Sequence, residues 1–393
     1  MKKKSLLVLA AMATLTLVGC NGGSNPGSLP SGGKEVDLTQ EEGATVLKER
    51  LNATAKAYAG LSYDSLQVVS TTSGVNLGLD VAAVASGMNM KANVNLKGFG
   101  AKAELNVAKS SEGSLDASLV AKTTGGSLSV KGELPNSEQK AVTISSDLSL
   151  KGAEVDAYIS GSNVYVNAEN SGNLALVKGV DKFANKLLDD LKKTVFGLLI
   201  EPYLSDLPVI KDGAFDITSF YSEANKKVKL PMEEAIAWPI SGEVPEGEIE
   251  GLDQAVEAIK GVAAQGIGLS FKTYNDNGYG FALGMDKAAL LKLVGDDGAE
   301  TVNKLVSKLS VSVSAYFNKQ FLLESVGFSF ELAMKAESLA DFGGDAAEVA
   351  GAFESFNASL TAKAQEELKI NYGKGKVSFP SFDGYKEVET EAQ

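Results

Sequence analysis

Residues 88–107 read MNMKANVNLKGFGAKAELNV. Met88, Met90, Ala92, Val94 and Leu96 alternate with Asn89, Lys91, Asn93 and Asn95. Beyond Gly98, Ala101, Ala103, Leu105 and Val107 alternate with Lys102, Glu104 and Asn106. A period of two places one side-chain set on each face of a strand, so both runs predict strands with one dry and one wet face. Similar runs follow at Leu115–Ala121, Leu128–Glu133, Val142–Leu150, Val155–Ile159 and Val164–Asn167. Gly98, Ser110-Ser111, Gly125-Gly126 and Gly161-Ser162-Asn163 punctuate them, and Ser62–Ala168 reads as an antiparallel meander.

The period changes to helical on either side. Leu47, Leu51, Ala55 and Tyr58 form one stripe over residues 41–60, with Gly60 as its stop. Val180, Phe183, Leu187, Leu188, Leu191, Val195, Leu198 and Leu199 keep helical spacing up to Pro202. A weaker helix starts at Asp216, and another covers Leu252 to Ala264. Gly266–Tyr274 and Tyr279–Gly284 then read as a hairpin about the turn Asn275-Asp276-Asn277-Gly278. Asp286 caps a helix through Val294, which resumes over Ala299–Lys308 after Gly295-Asp296-Asp297-Gly298. Leu309–Phe317 and Phe321–Met334 form a second hairpin, and two or three strands lie between Phe356 and Phe379. The expected fold class is α+β: a large curved antiparallel sheet, an open half-barrel, packed on amphipathic helices.

The first forty residues carry an address. Met1-Lys2-Lys3-Lys4 is a positive head, Ser5–Thr16 is mostly apolar, and Leu17-Val18-Gly19-Cys20 closes the segment. A positive head before about a dozen apolar residues reads as an export signal too short to span a bilayer. The last four residues resemble the lipobox of bacterial lipoproteins. That resemblance implies cleavage between Gly19 and Cys20, diacylglycerol on the Cys20 thiol, and anchorage to the extracytoplasmic face of a cell membrane. Residues 1–19 are then the signal peptide. Residues 20–40, rich in Gly, Ser, Asn and Pro, form a flexible tether. Residues 41–380 form one β-rich domain with helical insertions, and 381–393 a charged tail.

Composition excludes several functions. The chain has 37 basic and 50 acidic residues, and loss of the leader's three lysines leaves 34 against 50. That balance argues against nucleic acid and against electrostatic adhesion to anionic lipid heads. Cys20 is the one cysteine, so no intramolecular disulfide is possible. The absence of histidine removes Ser-His-Asp triads, histidine acid–base catalysis and imidazole metal sites.

The local motifs point away from catalysis. An EF-hand reading of Asn275–Gly278 would put Thr273 at the first ligand position and Gly284 at the twelfth, where a bidentate Glu is needed. Gly98-Phe99-Gly100 lacks the third glycine of a dinucleotide fingerprint. Glu41-Glu42, Asp189-Asp190, Glu233-Glu234 and Glu366-Glu367 read as solvated pairs, and Trp238 as a residue pinning a loop to the core. An outer-membrane barrel would need aromatic girdles, which the sparse aromatics do not supply. No catalytic, cofactor or metal residue is expected.

The order of anchor, tether, amphipathic helix, meander, central helices and late hairpins resembles the lipid-carrier superfamily that includes LolA and lipoproteins of the LprG and LppX type. Val155–Val166 (VDAYISGSNVYV) and Leu309–Phe330 are the locally similar stretches. The resemblance implies a curved sheet around helices, with an apolar ligand, a lipid or acyl chain, held between them. Ala92, Ala101, Ala103, Ala117 and Ala121 at inward positions suit such a cavity or close helix docking. A filled core with a protein-binding outer surface is the other reading that the residues leave open.

Overall fold

The computed structural model describes residues 29–169, 171–197, 209–223, 227–238, 251–264, 268–342 and 350–387. The signal peptide, Cys20 and the tether up to residue 28 lie outside these, as do Leu198, Leu199, Pro202, Gly266 and residues 388–393 of the tail.

The first half of the chain forms β1 (Lys34–Glu35), α1 (Glu41–Ala59), β2 (Ser65–Ala85), β3 (Met88–Lys109), β4 (Leu115–Pro135) and β5 (Ala141–Ser149). Next come β6 (Glu154–Ser160), β7 (Asn163–Asn167), α2 (Ser171–Lys192), β8 (Ile210–Lys211), β9 (Ala214–Phe215), α3 (Ile217–Glu223) and β10 (Lys227–Pro231). The remainder forms α4 (Leu252–Ala264), β11 (Gly268–Thr273), β12 (Tyr279–Asp286), α5 (Lys287–Leu305), β13 (Val306–Phe317), β14 (Leu323–Ala336), β15 (Ser355–Tyr372) and β16 (Lys386–Glu387). The expected α+β class holds. Fourteen strands form one unclosed sheet in the order β1-β11-β12-β13-β14-β15-β2-β3-β4-β6-β7-β10-β16, with β5 also on β4. Among the described residues every pair in it is antiparallel except β10–β16. The two strand-rich regions are thus one sheet, joined where β15 pairs β2.

Gly161 does turn the chain between β6 and β7, but Gly98 and Gly125-Gly126, which also read as breaks between strands, are bulges. Met88–Leu96 and Ala101–Val107 are halves of β3, and Leu115–Ala121 and Leu128–Glu133 are halves of β4. Register slips at Thr72/Val75 and Val75/Leu77 between β2 and β3, and at Lys97/Gly100 and Gly100/Ala101 between β3 and β4. Gly74 (φ 60°), Gly98 (φ 60°) and Gly126 (φ 119°) supply the left-handed backbone near these slips. Each strand gains one residue there, so its apolar set changes parity: odd to even from β3's second half to its first, and from β4's first half to its second. Because the sheet register slips with it, the apolar set stays on one face. The continuous β15 shows this, since Ile370 pairs with Val68 below the bulge while Phe356 pairs with Ala83 above it. A crease therefore crosses strands of 21 or 22 residues, each about 70 Å long if straight. Beyond it β4 splits its partners: Ala117–Lys122 pairs β6 and Ser127–Pro135 pairs β5.

Other boundaries differ from expectation. The helix expected from Val180 to Leu199 is α2, which starts at Ser171 and ends at Lys192. Asp286 caps α5 by accepting from the Ala289 amide at 2.8 Å, and Gly295 (φ 65°) kinks it, as the spacing predicts. Val306–Lys308, read as helix, begins β13 because it pairs with β14. The strands expected between Phe356 and Phe379 are the single β15. The tether and the tail are shorter than read: Lys34 and Glu35 pair with β11, Leu38 is buried, and Lys386 and Glu387 pair with β10.

Two helical layers cover the sheet at separate places. Leu47 and Leu51 of α1, Leu252 and Val256 of α4, and Leu38 pack on Phe271, Tyr279 and Phe317. Tyr279 stacks on Phe317 at 4.6 Å and 2°, and its hydroxyl meets Thr54 Oγ1 at 2.6 Å. Burial pushes that phenol well above the usual tyrosine range. At the other end of the same face, α2 lies on β5, whose Ile144, Ser146 and Leu148 alternate inward. The Ser146 hydroxyl donates to Phe183 O at 2.7 Å.

At Gly126 an added Cβ would stand 2.8 Å from Phe99 Cα on a left-handed backbone, whereas at Gly261 in α4 it would meet nothing within 4 Å. Gly126→Ala is expected to lower the unfolding free energy by about 1–3 kcal/mol. Gly261→Ala is expected to raise it by up to about 1 kcal/mol through helix propensity. Urea titration of both checks the pair, whose effects carry opposite signs.

Candidate functional site

Residues directly opposite in an antiparallel pair share a face. Leu77, Leu96, Leu128 and Leu148 form one such row, Leu79, Val94, Val130 and Ser146 the next, and Val81, Ala92, Gly132 and Ile144 a third. The β5 end of these rows is buried under α2. The β2 end is open, with Leu77 and Leu79 exposed at 40% and 38%.

The same face continues into β15, β14, β13 and β12. Phe356 opposes Ala83, so Ala358, Leu360, Ala362 and Ala364 belong to it, opposite Ala336, Met334, Leu332 and Phe330. Val313 opposes Leu283 and Phe328, and Leu283 is again over a third exposed. Beyond the crease, Ala103 and Ala121 lead to Val155, exposed at 40%. Leu77, Leu79, Val155 and Leu283 thus lie on one apolar face, covered by α1 and α4 at one end and α2 at the other. Soluble surfaces seldom leave so many large apolar side chains open on one face. The inward alanines at 92, 101, 103, 117 and 121 are brought together on it, as their spacing predicts.

The opposite face is polar. A depression of about 600 Å³ there is lined by Asp80, Lys91, Asn93, Lys131, Glu133 and Lys335, among others. Its charges are matched: Lys91 pairs with Glu133 at 3.5 Å, Lys131 with Asp147 at 3.8 Å, Lys335 with Glu337 at 2.5 Å, and Asn93 donates to Asp80. Such exposed pairs contribute little energy, and they mark this face as a solvated ladder. Farther along it, Phe382 stacks on Tyr165 at 3.7 Å, and Phe379 and Tyr385 flank it, so the C-terminal segment closes over β6 and β7.

The paired carboxylates resolve one by one. Glu41-Glu42 and Glu233-Glu234 are exposed, as expected. Asp189 is exposed but Asp190 is buried, which corrects the solvated reading. Glu366-Glu367 lies on a strand: Glu366 accepts from the Ser70 hydroxyl at 3.2 Å on the apolar face, and Glu367 turns to Lys369 at 2.6 Å on the other. In the turn Asn275–Gly278, Asp276 Oδ1 accepts from the Gly278 amide at 3.0 Å and Asn277 has φ 71°, as a hairpin needs. Trp238 Nε1 donates to Tyr63 O at 3.1 Å, pinning its loop to the start of β2. Among the described residues no group of three metal-ligating side chains is present, and no helix is long and apolar enough to cross a membrane.

No protein-family model and no curated protein matches the chain. Among solved structures, a β-barrel-like protein of a domain of unknown function from Brucella abortus shares 9% identity over 79% of this chain and all of its own, with a TM-score of 0.12. The InvG secretin domain β-barrel from the Salmonella SPI-1 injectisome shares 11% identity over 96% of this chain and 81% of its own, with a TM-score of 0.15. At these scores neither likeness bears on fold or function.

Asp190 locks the α2 cover. Its carboxylate accepts from Lys186 at 2.7 Å, from Lys193 at 3.0 Å and, at 3.4 Å, from the Ser145 amide on the free edge of β5. The Lys186 bond foremost, opposed by burial and joined by Lys193 and Ser145, holds its pKa at about 2. A lowered folded-state pKa stabilises above the ordinary aspartate range, and the contribution is lost as pH falls through about 2. Its size is on the order of 2 kcal/mol. Asp190→Asn is therefore expected to destabilise the protein at pH 7 and to flatten its stability profile between pH 4 and about 2, as read by thermal unfolding at stepped pH.

Proposed function

We propose that this chain is a membrane-anchored extracytoplasmic lipoprotein, without enzymatic activity, that binds an apolar ligand, a lipid or acyl chain, against the open apolar face of its sheet. The observation that carries the reading is the exposure of Leu77, Leu79, Val155 and Leu283 on one continuous face between two helical covers. Hydrocarbon laid there removes apolar surface from water at about 25 cal/mol per Å². No polar group has to be matched along most of its length. The matched charges of the opposite face give it no comparable demand for a ligand.

The anchor rests on the Leu17-Val18-Gly19-Cys20 pattern. Two or three acyl chains on Cys20 hold a protein that a single chain would retain only marginally. The net negative charge would not by itself bring the domain to an anionic bilayer. Metabolic labelling with an alkynyl fatty acid is expected to mark the wild-type protein in the membrane fraction. Cys20→Ala is expected to lose the label. Retention of label by that variant would sink the anchor.

The ligand is tested with residues 21–393, which retain every described residue. Native purification followed by organic extraction and mass spectrometry is expected to yield about one lipid per chain. Leu77→Glu with Leu79→Glu is expected to cut binding of a fluorescent acyl probe at least tenfold with little change in melting temperature, since both side chains are already exposed. A lipid-free protein that ignores the probe would turn the open face into a protein-docking surface.

A further inference from the structure

From β12 across the sheet to β6, Glu366 is the one charged side chain, short of a strand end, that register puts on the apolar face. Lys363 and Lys369, on either side of it in β15, alternate onto the opposite face, where Lys369 pairs with Glu367 at 2.6 Å. Among the described residues no cation pairs with Glu366. The Ser70 hydroxyl, at 3.2 Å from Oε1, is the hydrogen bond it receives. A carboxylate offers about four lone-pair sites, so one neutral hydroxyl leaves most of them unmatched. Under an apolar ligand that charge is costly unless a donor completes it.

Register also places this carboxylate among the open side chains. Its row runs through Phe328 and Val313 to Leu283, three strands and about 14 Å away. Ser70 belongs to the row that passes Ala103 and Ala121 to Val155, again three strands away. The ladder between β15 and β2 is interrupted between the Asn357–Ala82 and Ile370–Val68 pairs, and the Ser70–Glu366 bond crosses that stretch. Leu77 and Leu79 lie in the same stretch of β2. Ala364 precedes Glu366 on the face, and Ala103 opposes Ser70. These side chains stand lower than a glutamate, and Oε2, which Ser70 does not reach, is open to solvent. The α1 and α4 cover packs elsewhere, on Phe271, Tyr279 and Phe317.

We infer that Glu366 and Ser70 receive the cationic amino head of an amphiphile whose hydrocarbon chain lies on the apolar rows beside them. This rests on the lipid-binding reading above and adds the class of ligand: an aliphatic amine is favoured and a fatty acid disfavoured. An ammonium group brings three donors and a positive charge. It can give charge-assisted bonds to the carboxylate and one more to the Ser70 oxygen, whose own proton is held by Glu366. A carboxylate or phosphate head would meet like charge at the same place. The chain's excess of acidic over basic residues, 50 against 37, acts in the same direction.

The experiment compares hexadecylamine, hexadecanol and palmitate, three ligands of equal chain length, by displacement of a neutral fluorescent acyl probe from residues 21–393 at pH 7. There the amine is cationic and palmitate anionic. The wild type is expected to bind the amine about tenfold tighter than the alcohol, and palmitate more weakly than either. Glu366→Gln keeps an oxygen for the Ser70 hydroxyl and is expected to bind amine and alcohol alike, with its affinity for the probe unchanged. Unchanged probe binding also shows that this variant is folded. Glu366→Lys is expected to reverse the order in palmitate's favour, a gain that misfolding does not produce. Equal binding of amine and alcohol by the wild type, or tighter binding of palmitate than of the alcohol, would overturn the inference while leaving the apolar site standing. So would an amine preference that survives Glu366→Gln, which would assign it to the acidic surface at large. Failure of every ligand to displace the probe, or of the probe to bind, would overturn the lipid-binding reading itself.

Discussion

The rest of the molecule depends on a one-residue insertion repeated in three neighbouring strands. Strands of 21 or 22 residues carry their apolar side chains on one parity in one half and on the other parity in the next. Without the bulges near Gly74, Gly98 and Gly126, half of each apolar set would turn to the polar face. With them, Leu66, Val68 and Leu105 below the crease share a face with Leu77, Leu79 and Val94 above it. The glycines make this possible because their backbone enters the left-handed region at no steric cost. At Gly126 the facing Phe99 backbone would leave no room for a Cβ even if the strain were tolerated.

Once one face is apolar along its whole length, it must be covered, and the chain covers only parts of it. α1 and α4 close the β11–β13 end around Tyr279, and α2 closes β5 through Leu188 and the Asp190 network. Between them lie the open rows of Leu77, Leu79 and Leu283. Asp190 serves a second purpose, since its bond to the Ser145 amide occupies part of an otherwise unpaired strand edge. The outer face meets water through cross-strand charge pairs, and near the C terminus an aromatic segment seals it over Tyr158 and Tyr165.

Short-range pattern alone was enough for much of this protein. Period two marked the strands, stripes at three and four residues marked α1 and α2, and Asp286 with Ala289 bore out the expected cap of α5. The Leu17-Val18-Gly19-Cys20 pattern and the missing histidine are likewise properties of the chain itself. What a glycine does between two strand runs was not legible, because a turn and a bulge both interrupt the alternation and only the partner strand tells them apart. Gly98 and Gly126 looked like turns and proved to be bulges once β3 and β4 were paired through them. The joining of β15 to β2, the docking of Lys34–Leu38 and the burial of Asp190 are contacts between residues far apart in the chain. Local alternation specifies that a side chain is apolar and which face it shares. Whether that face is covered depends on where distant helices land, and so the exposure of Leu77 and Leu79 was decided by tertiary structure alone.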